Sequence, residues 1–411
     1  MARKSLINKL NLKNGLAFSS QLGDFVDDAV GKKLPETRLV APIYDENARE
    51  KTWYRYPIKD GISGDGSEYH IYVRRAPSDK LCIFFSGGGV AWNEFTAERP
   101  VTGGKVVAGL PNYYWNNLRP ITQLMNIHIG ITESSSVLNP FNNWNFVIVT
   151  YATGDFHIGN NDFEYLDSKG KPKVVHFKGF NNFTKAMEVS KSLFPNPKSL
   201  LIAGDSAGAF AVPALSGIIA DKYYEECSDF TLFSDSGQLL YRHWKRTARD
   251  VWKADPYFWK SLRSPNITYD WYRSLYNKYG DRFKYLYASS THDYLLSAYY
   301  NDVTYKKYAT DSDVQEVFYH QLTLMVKELK ELNPKFGFFI NDFKNMNFVK
   351  TGLNGGTIHT AVRQLQYHAK TKSGISMDKW LYDAACGNIY DVGMELLPLP
   401  NTSGELDEKK L

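Results

Sequence analysis

A serine stands between two glycines in the run Leu200-Leu201-Ile202-Ala203-Gly204-Asp205-Ser206-Ala207-Gly208. An apolar stretch, then G-x-S-x-G, then small residues able to open a helix is the pattern of a nucleophile elbow. The chemistry it suggests is attack on an acyl carbon by the Ser206 hydroxyl. The glycines suit a tight turn with backbones in close approach. A helix opening at Ala207 would place positive dipole where negative charge develops.

Such a serine needs a base, an acid and an oxyanion site. The run Phe84-Phe85-Ser86-Gly87-Gly88-Gly89-Val90-Ala91-Trp92 puts three glycines directly after an early apolar stretch. Glycines let backbone N–H groups turn toward an oxyanion, so Gly88, Gly89 and Val90 are candidate donors, joined by Ala207. No G-K-[ST] follows, which excludes a P-loop, and the G-x-G-x-x-G spacing is not met. In the chain order serine, acid, histidine, Asp293 follows an apolar run at Phe283–Ala288, and His359 lies in a glycine-bearing loop that starts at Gly352. Asp281 and Asp302 are the competing carboxylates. His320 and His368 fall in helical patterns, and His292 precedes the acid, which the order forbids for the base. His359 would take the proton of Ser206 while Asp293 fixes its tautomer.

Asp155 and His157 stand two apart and suggest a metal pair, but no third ligand accompanies them. Their expected role is to bond the backbone of a strand-end turn. No metal or other cofactor is expected. The three cysteines, Cys82, Cys227 and Cys386, are scattered and form no CxxC, so neither a zinc site nor a disulfide framework is indicated.

The elements that must position these groups are legible as short apolar runs alternating with helical patterns. Strands are expected at Tyr69–Arg75, Leu81–Phe85, Asn145–Tyr151, Leu200–Ala203, Phe230–Phe233, Phe283–Ala288 and Phe336–Ile340. Helices are expected at Phe180–Leu193, Ala207–Lys222, Ser312–Leu332 and Thr357–Lys370. This alternation predicts an α/β fold, a mostly parallel sheet with helices on both faces, with functional groups at the C-terminal strand ends. Residues 1–50 read as an N-terminal extension, 51–400 as one α/β-hydrolase-like catalytic domain, and 401–411 as a polar tail. The segment 241–281, rich in Trp, Tyr, Arg and Lys, reads as an inserted helical lid over the site.

At 411 residues, 43% apolar and 23% charged, the chain has ordinary globular composition, which argues against disorder. Its net charge of +5 is too weak and dispersed for nucleic-acid binding. No run approaches the roughly 18 apolar residues of a membrane span. The basic N-terminus builds no apolar signal core, so a cytoplasmic location is expected. Aromatics reach 15%, and their faces can stack on sugar rings as well as build a core.

In order along the chain, the glycine loop Gly87–Trp92, NPFNNWNFVIVTYATGDFHIG, VHFKGFNN, GDSAGAFAV, Ser234–Gly237, the Asp293 loop and the His359 loop resemble the pectin acetylesterase/Notum family of carboxylesterases. GDSAG after a glycine run is also similar to hormone-sensitive-lipase-like esterases, but TGDFHIG favours the first family. The resemblance spans about Ile71 to Leu365. It implies an α/β-hydrolase-like fold, a Ser-Asp-His triad and no metal. It also implies removal of short acyl groups, acetate from pectin or a fatty acyl group from a secreted protein. Cysteines common in the family are replaced here by Ala152, Asp205 and Ile358, and the tryptophan after the glycine run by Val90. Their loss fits a disulfide-poor, bacterial member. The expected activity is hydrolysis of a short O-acyl ester, O-acetyl on a carbohydrate foremost. The alternatives are an acyltransferase with the same residues, or a non-catalytic carbohydrate- or partner-binding protein on a hydrolase scaffold.

Overall fold

The computed structural model describes residues 41–102, 111–119, 126–345 and 353–398. The expected tail at 401–411, most of the expected N-terminal extension and Gly352 lie outside the described residues.

The strands are β1 (Trp53–Ile62), β2 (Glu68–Arg74), β3 (Lys80–Phe85), β4 (Asn145–Val149), β5 (Asn161–Leu166), β6 (Pro172–Phe177), β7 (Ser199–Asp205), β8 (Asp229–Asp235), β9 (Phe283–Ser290) and β10 (Gly337–Asn341). Eight form one sheet in the order β1-β2-β4-β3-β7-β8-β9-β10, and β5 and β6 pair as a separate hairpin. From β4 to β10 every pairing is parallel, while β2 runs antiparallel to both its neighbours.

The central strands are apolar throughout because both sheet faces are covered. Along β3, Leu81, Ile83 and Phe85 enter one core cluster, while Cys82 and Phe84 enter the other. Strand β7 divides likewise, Leu200 and Ile202 against Leu201 and Ala203. The six longer helices are α1 (Gly179–Leu193), α2 (Ala207–Ile218), α3 (Ile267–Tyr279), α4 (Tyr294–Tyr305), α5 (Ser312–Leu332) and α6 (Met377–Ala385). Helices α1, α2, α3 and α5 supply the first cluster through residues such as Phe183, Phe210, Tyr272 and Leu322. The second is closed by Trp380 and Leu381 of α6 together with irregular segments carrying Ile131, Phe141 and Tyr367. The helices thus lie on both faces, unequally.

All seven expected strands are present, and α5 matches its expected span. Strand β1 is not among the expected strands; it contains Pro57, which a central strand would not tolerate. It is one of the sheet's two edge strands, where a missing N–H costs little. Helix α2 contains Pro213, which cannot donate to the carbonyl of Ala209. The Ser234 hydroxyl donates to that carbonyl instead, at 2.7 Å.

Two expectations are corrected. Thr357–Lys370 is not a helix. Gly355, Gly356 and Thr360 have positive φ, and Thr357 bridges to Asp293 and Lys344, leaving only a 3-10 turn at Leu365–His368. Nor does 241–281 roof the site. Its helix α3 packs on α2 within the crossover from β8 to β9, burying Trp271, Tyr272 and Leu275. No helix among the described residues is long and apolar enough to cross a membrane.

Candidate active site

Parallel register brings the ends of β3, β7, β8, β9 and β10 to one edge of the sheet. Phe85 pairs with Gly204, Asp205 with Asp235, and Ser290 with Asn341. The loops leaving these ends carry the residues singled out in the sequence.

Ser206 sits between β7 and α2 with φ 51° and ψ −123°, a left-handed conformation that costs about 1–3 kcal/mol in a non-glycine residue. The surroundings enforce it. A Cβ on Gly204 would lie 2.3 Å from the Gly208 carbonyl oxygen, and one on Gly208 would lie 2.0 Å from that of Phe85. The Ser206 amide donates to the Asp235 carbonyl at 2.8 Å.

His359 Nε2 lies 2.8 Å from Ser206 Oγ, and its Nδ1 lies 2.7 Å from Asp293 Oδ2. The two loops holding this histidine and this acid are stitched together. Thr357 donates its N–H to the His292 carbonyl and accepts the His292 N–H on its hydroxyl oxygen, both at 2.9 Å. Asp293 also caps α4, its Oδ1 accepting from the amides of Leu295 and Leu296 at 2.9 Å each. On the other side, the buried Asp235 carboxylate accepts the amides of Ala361 and Val362 at 2.7 and 2.8 Å. These amides are captured by a side chain, which is why the expected helix does not form. Burial opposes charge on His359. The charge and hydrogen bond of Asp293, with Asp235 and Asp205 beyond, outweigh it and raise the imidazole above its usual range.

The other candidates are placed elsewhere. Asp281 pairs with Lys335 at 2.6 Å, and Asp302 lies in α4. His320 and His292 face Glu316 at 3.2 and 3.4 Å, and His368 pairs with Asp378 at 2.6 Å.

The glycine loop reaches the same point. The N–H groups of Gly88, Gly89 and Ala207 donate to no acceptor among the described residues. Val90 is a correction to the expected donor set, because its amide donates to the Tyr113 carbonyl at 2.8 Å. The Gly87 amide is also engaged, donating to Asp205 Oδ1 at 2.8 Å. Gly89 has φ 78°, and a Cβ there would stand 1.9 Å from the Tyr113 carbonyl oxygen.

Ser206, His359 and the glycine loop open on a cavity of about 590 Å³. Its apolar wall includes Phe156, Phe210, Leu239, Leu295, Tyr299 and Tyr308. Residues 241–281 contribute nothing to this lining, but they brace it from behind. Trp244 and Trp252 pack on Phe156 with ring centroids 5.3 Å away.

Asp155 is fully buried and accepts from the Thr153 hydroxyl and the amides of His157 and Gly179. Burial raises its carboxyl to about 6 despite those bonds. His157 meets the Ser86 carbonyl at 3.0 Å. Both act on backbone, and no cluster of three or more metal-ligating side chains is found among the described residues. Cys82, Cys227 and Cys386 are free thiols. Sequence reasoning missed Arg363, which forms a two-bonded ion pair with Asp205. It lies in the segment misread as helix, and no local pattern marks it.

A mostly parallel sheet carrying a strand-to-helix serine turn, an adjacent imidazole and a glycine loop defines an α/β-hydrolase-like protein. Residues 58–249, which hold both the glycine loop and Ser206, match the family model described as pectinacetylesterase. Asp293 and His359 lie beyond the matched region. The fold is shared with the Wnt deacylase Notum from Drosophila, at TM-score 0.53 and 15% identity over 82% of this chain and 94% of that one. The search of curated proteins finds no match to this sequence.

Proposed function

We propose that the chain is a serine carboxylesterase working through Ser206, His359 and Asp293 by way of an acyl-enzyme. One observation carries the reading: a single imidazole touches both the Ser206 hydroxyl and the Asp293 carboxylate, beside unused amides of Gly88, Gly89 and Ala207. His359 Nε2 takes the Ser206 proton as Oγ attacks the ester carbonyl. Asp293 holds the proton on Nδ1 and stabilises the imidazolium. The oxyanion meets the free amides at the opening of α2, where the helix dipole adds to them. The imidazolium then protonates the leaving alcohol, and His359 next activates water to release the acid.

The substrate is an O-acyl ester, with a carbohydrate alcohol as the first choice. Support comes from the family, whose description is pectinacetylesterase, and from the Drosophila protein, described as a deacylase. Acetyl is the narrowest form of the proposal. A cavity of about 590 Å³ with an apolar wall is larger than an acetyl methyl needs, so the reading extends to longer acyl chains. In a hydrophobic pocket each methylene changes selectivity by about 1–3 kcal/mol. Rates on acetyl, butyryl and octanoyl esters, with acetylated polysaccharide alongside, fix the chain length. Wild-type hydrolysis of p-nitrophenyl acetate by Ser206→Ala would overturn the assignment. An added acceptor alcohol distinguishes acyl transfer from hydrolysis by its product.

A further inference from the structure

We propose that the buried Asp205–Arg363 ion pair is the positioning element that sets the free amides of the glycine loop over Ser206. The inference rests on the reading of Ser206 as nucleophile. Arg363 donates from Nε and Nη2 to the two oxygens of Asp205, at 2.9 and 2.7 Å. Asp205 Oδ1 also accepts the Gly87 amide at 2.8 Å. The third guanidinium nitrogen, Nη1, donates to Ser86 Oγ at 3.2 Å and to Asn126 Oδ1 at 3.0 Å. The guanidinium carbon stands 4.9 Å from the centre of the Phe84 ring. Both side chains are less than a tenth exposed.

This arrangement joins three segments of the site: the end of β3 with its loop, the serine turn and the loop of His359. Each has its own chemical task, and the ion pair forms the joint between them. No hydrogen bond from Asp205 or Arg363 reaches Ser206 Oγ or His359 among the described residues. In the glycine loop the pair touches Gly87 and Ser86, the two residues leading into the free amides of Gly88 and Gly89. There is no slack in this joint. A Cβ on Gly87 would fall 2.5 Å from the Asp205 carbonyl oxygen and 2.6 Å from Ser206 Cβ. Where Gly87 is held therefore decides where the next two amides stand.

A buried ion pair is a weak source of net stability, because desolvation offsets most of the attraction. What Arg363 supplies better than other cations is fork geometry, two parallel bonds to one carboxylate with a third nitrogen free to reach Ser86. Lysine keeps the charge but not the fork, so charge and geometry can be tested apart.

The test measures kcat and KM on p-nitrophenyl acetate for Arg363→Lys and Asp205→Asn, with Ser206→Ala as control and thermal melting as the check on folding. Asp205→Asn leaves a buried cation without its counter-charge, so Arg363→Lys carries the test if that variant does not fold. Losing one oxyanion donor costs on the order of 10²–10³ in kcat. A displaced donor should cost less, so Arg363→Lys is expected to lower kcat about 10–100-fold with KM changed less than about threefold. Wild-type kcat in folded Arg363→Lys overturns the proposal. So does a loss confined to KM, or one that only tracks the unfolded fraction. Activity retained by Ser206→Ala would instead overturn the underlying esterase reading.

Discussion

One oxygen of Asp293 lies 2.7 Å from Nδ1 of His359 while its other oxygen closes the first turn of α4. The carboxylate is therefore held by a helix end before it orients the imidazole. The same helix carries Leu295, Leu296 and Tyr299 to the cavity wall, so the acid and part of that wall share one rigid element.

Asp293→Asn separates these two tasks. Asparagine caps helices as well as aspartate does, so melting should shift little. The imidazole loses its counter-charge and its fixed tautomer. In the serine-protease template the same exchange costs about 10⁴ in kcat, and a loss of about 10³–10⁴ is expected here. A large drop in melting temperature with kcat nearly intact would contradict the assignment.

The pH profile should carry the mark of His359. Its pKa is raised in the folded state, so kcat/KM should fall on the acid side through a value above the ordinary imidazole figure of about 6.5. Below that limb the imidazolium cannot accept the Ser206 proton. The contribution of this group to stability runs the other way. It is fully present below the ordinary value and disappears as pH rises through the raised one. In Asp293→Asn the acid limb should move to lower pH, and a limb that stays in place would remove Asp293 as its cause.

Asp235→Ala leaves the amides of Ala361 and Val362 with no acceptor. Each unsatisfied buried donor costs about 1–3 kcal/mol, so unfolding in urea should show a loss of about 2–6 kcal/mol for the two. The His359 loop is released at the same point. Folded protein should therefore lose kcat by at least about tenfold, and unchanged kcat would show that the loop is held by other contacts.

Gly208→Ala tests the closeness of the serine turn. The new methyl would stand 2.0 Å from the Phe85 carbonyl oxygen and 2.9 Å from that of Ser86. Neither oxygen can yield without moving β3. Overpacking of this kind costs about 1–3 kcal/mol or more, read as a lower melting temperature together with lost activity. A variant that melts and hydrolyses like wild type would refute the tight approach of α2 to β3.

Much of the parallel sheet was legible because a strand covered on both faces must be apolar throughout, as Leu81–Phe85 and Leu200–Ala203 are. Strand β1 contains Pro57, whose tolerance depends on an edge position that only the assembled sheet defines. The 357–370 helix failed for the opposite reason. Its local pattern was sound, but Asp235 and Ser236 claim the amides of Thr360, Ala361 and Val362 from a distant strand end. The lid expectation failed because an aromatic-rich insertion looks the same whether its rings face a cavity or a core.

The glycines beside position 206, the strand before it and the order of serine, acid and histidine are local features, and local chemistry was enough to read them. Which loop amides stay free, which acid holds the histidine loop, and the pairing of Asp205 with an arginine 158 residues away were decided by the folded chain alone. A hydrogen bond has a range of about 3 Å in space and none along the sequence, so such partners exist only once the strands have set their ends side by side.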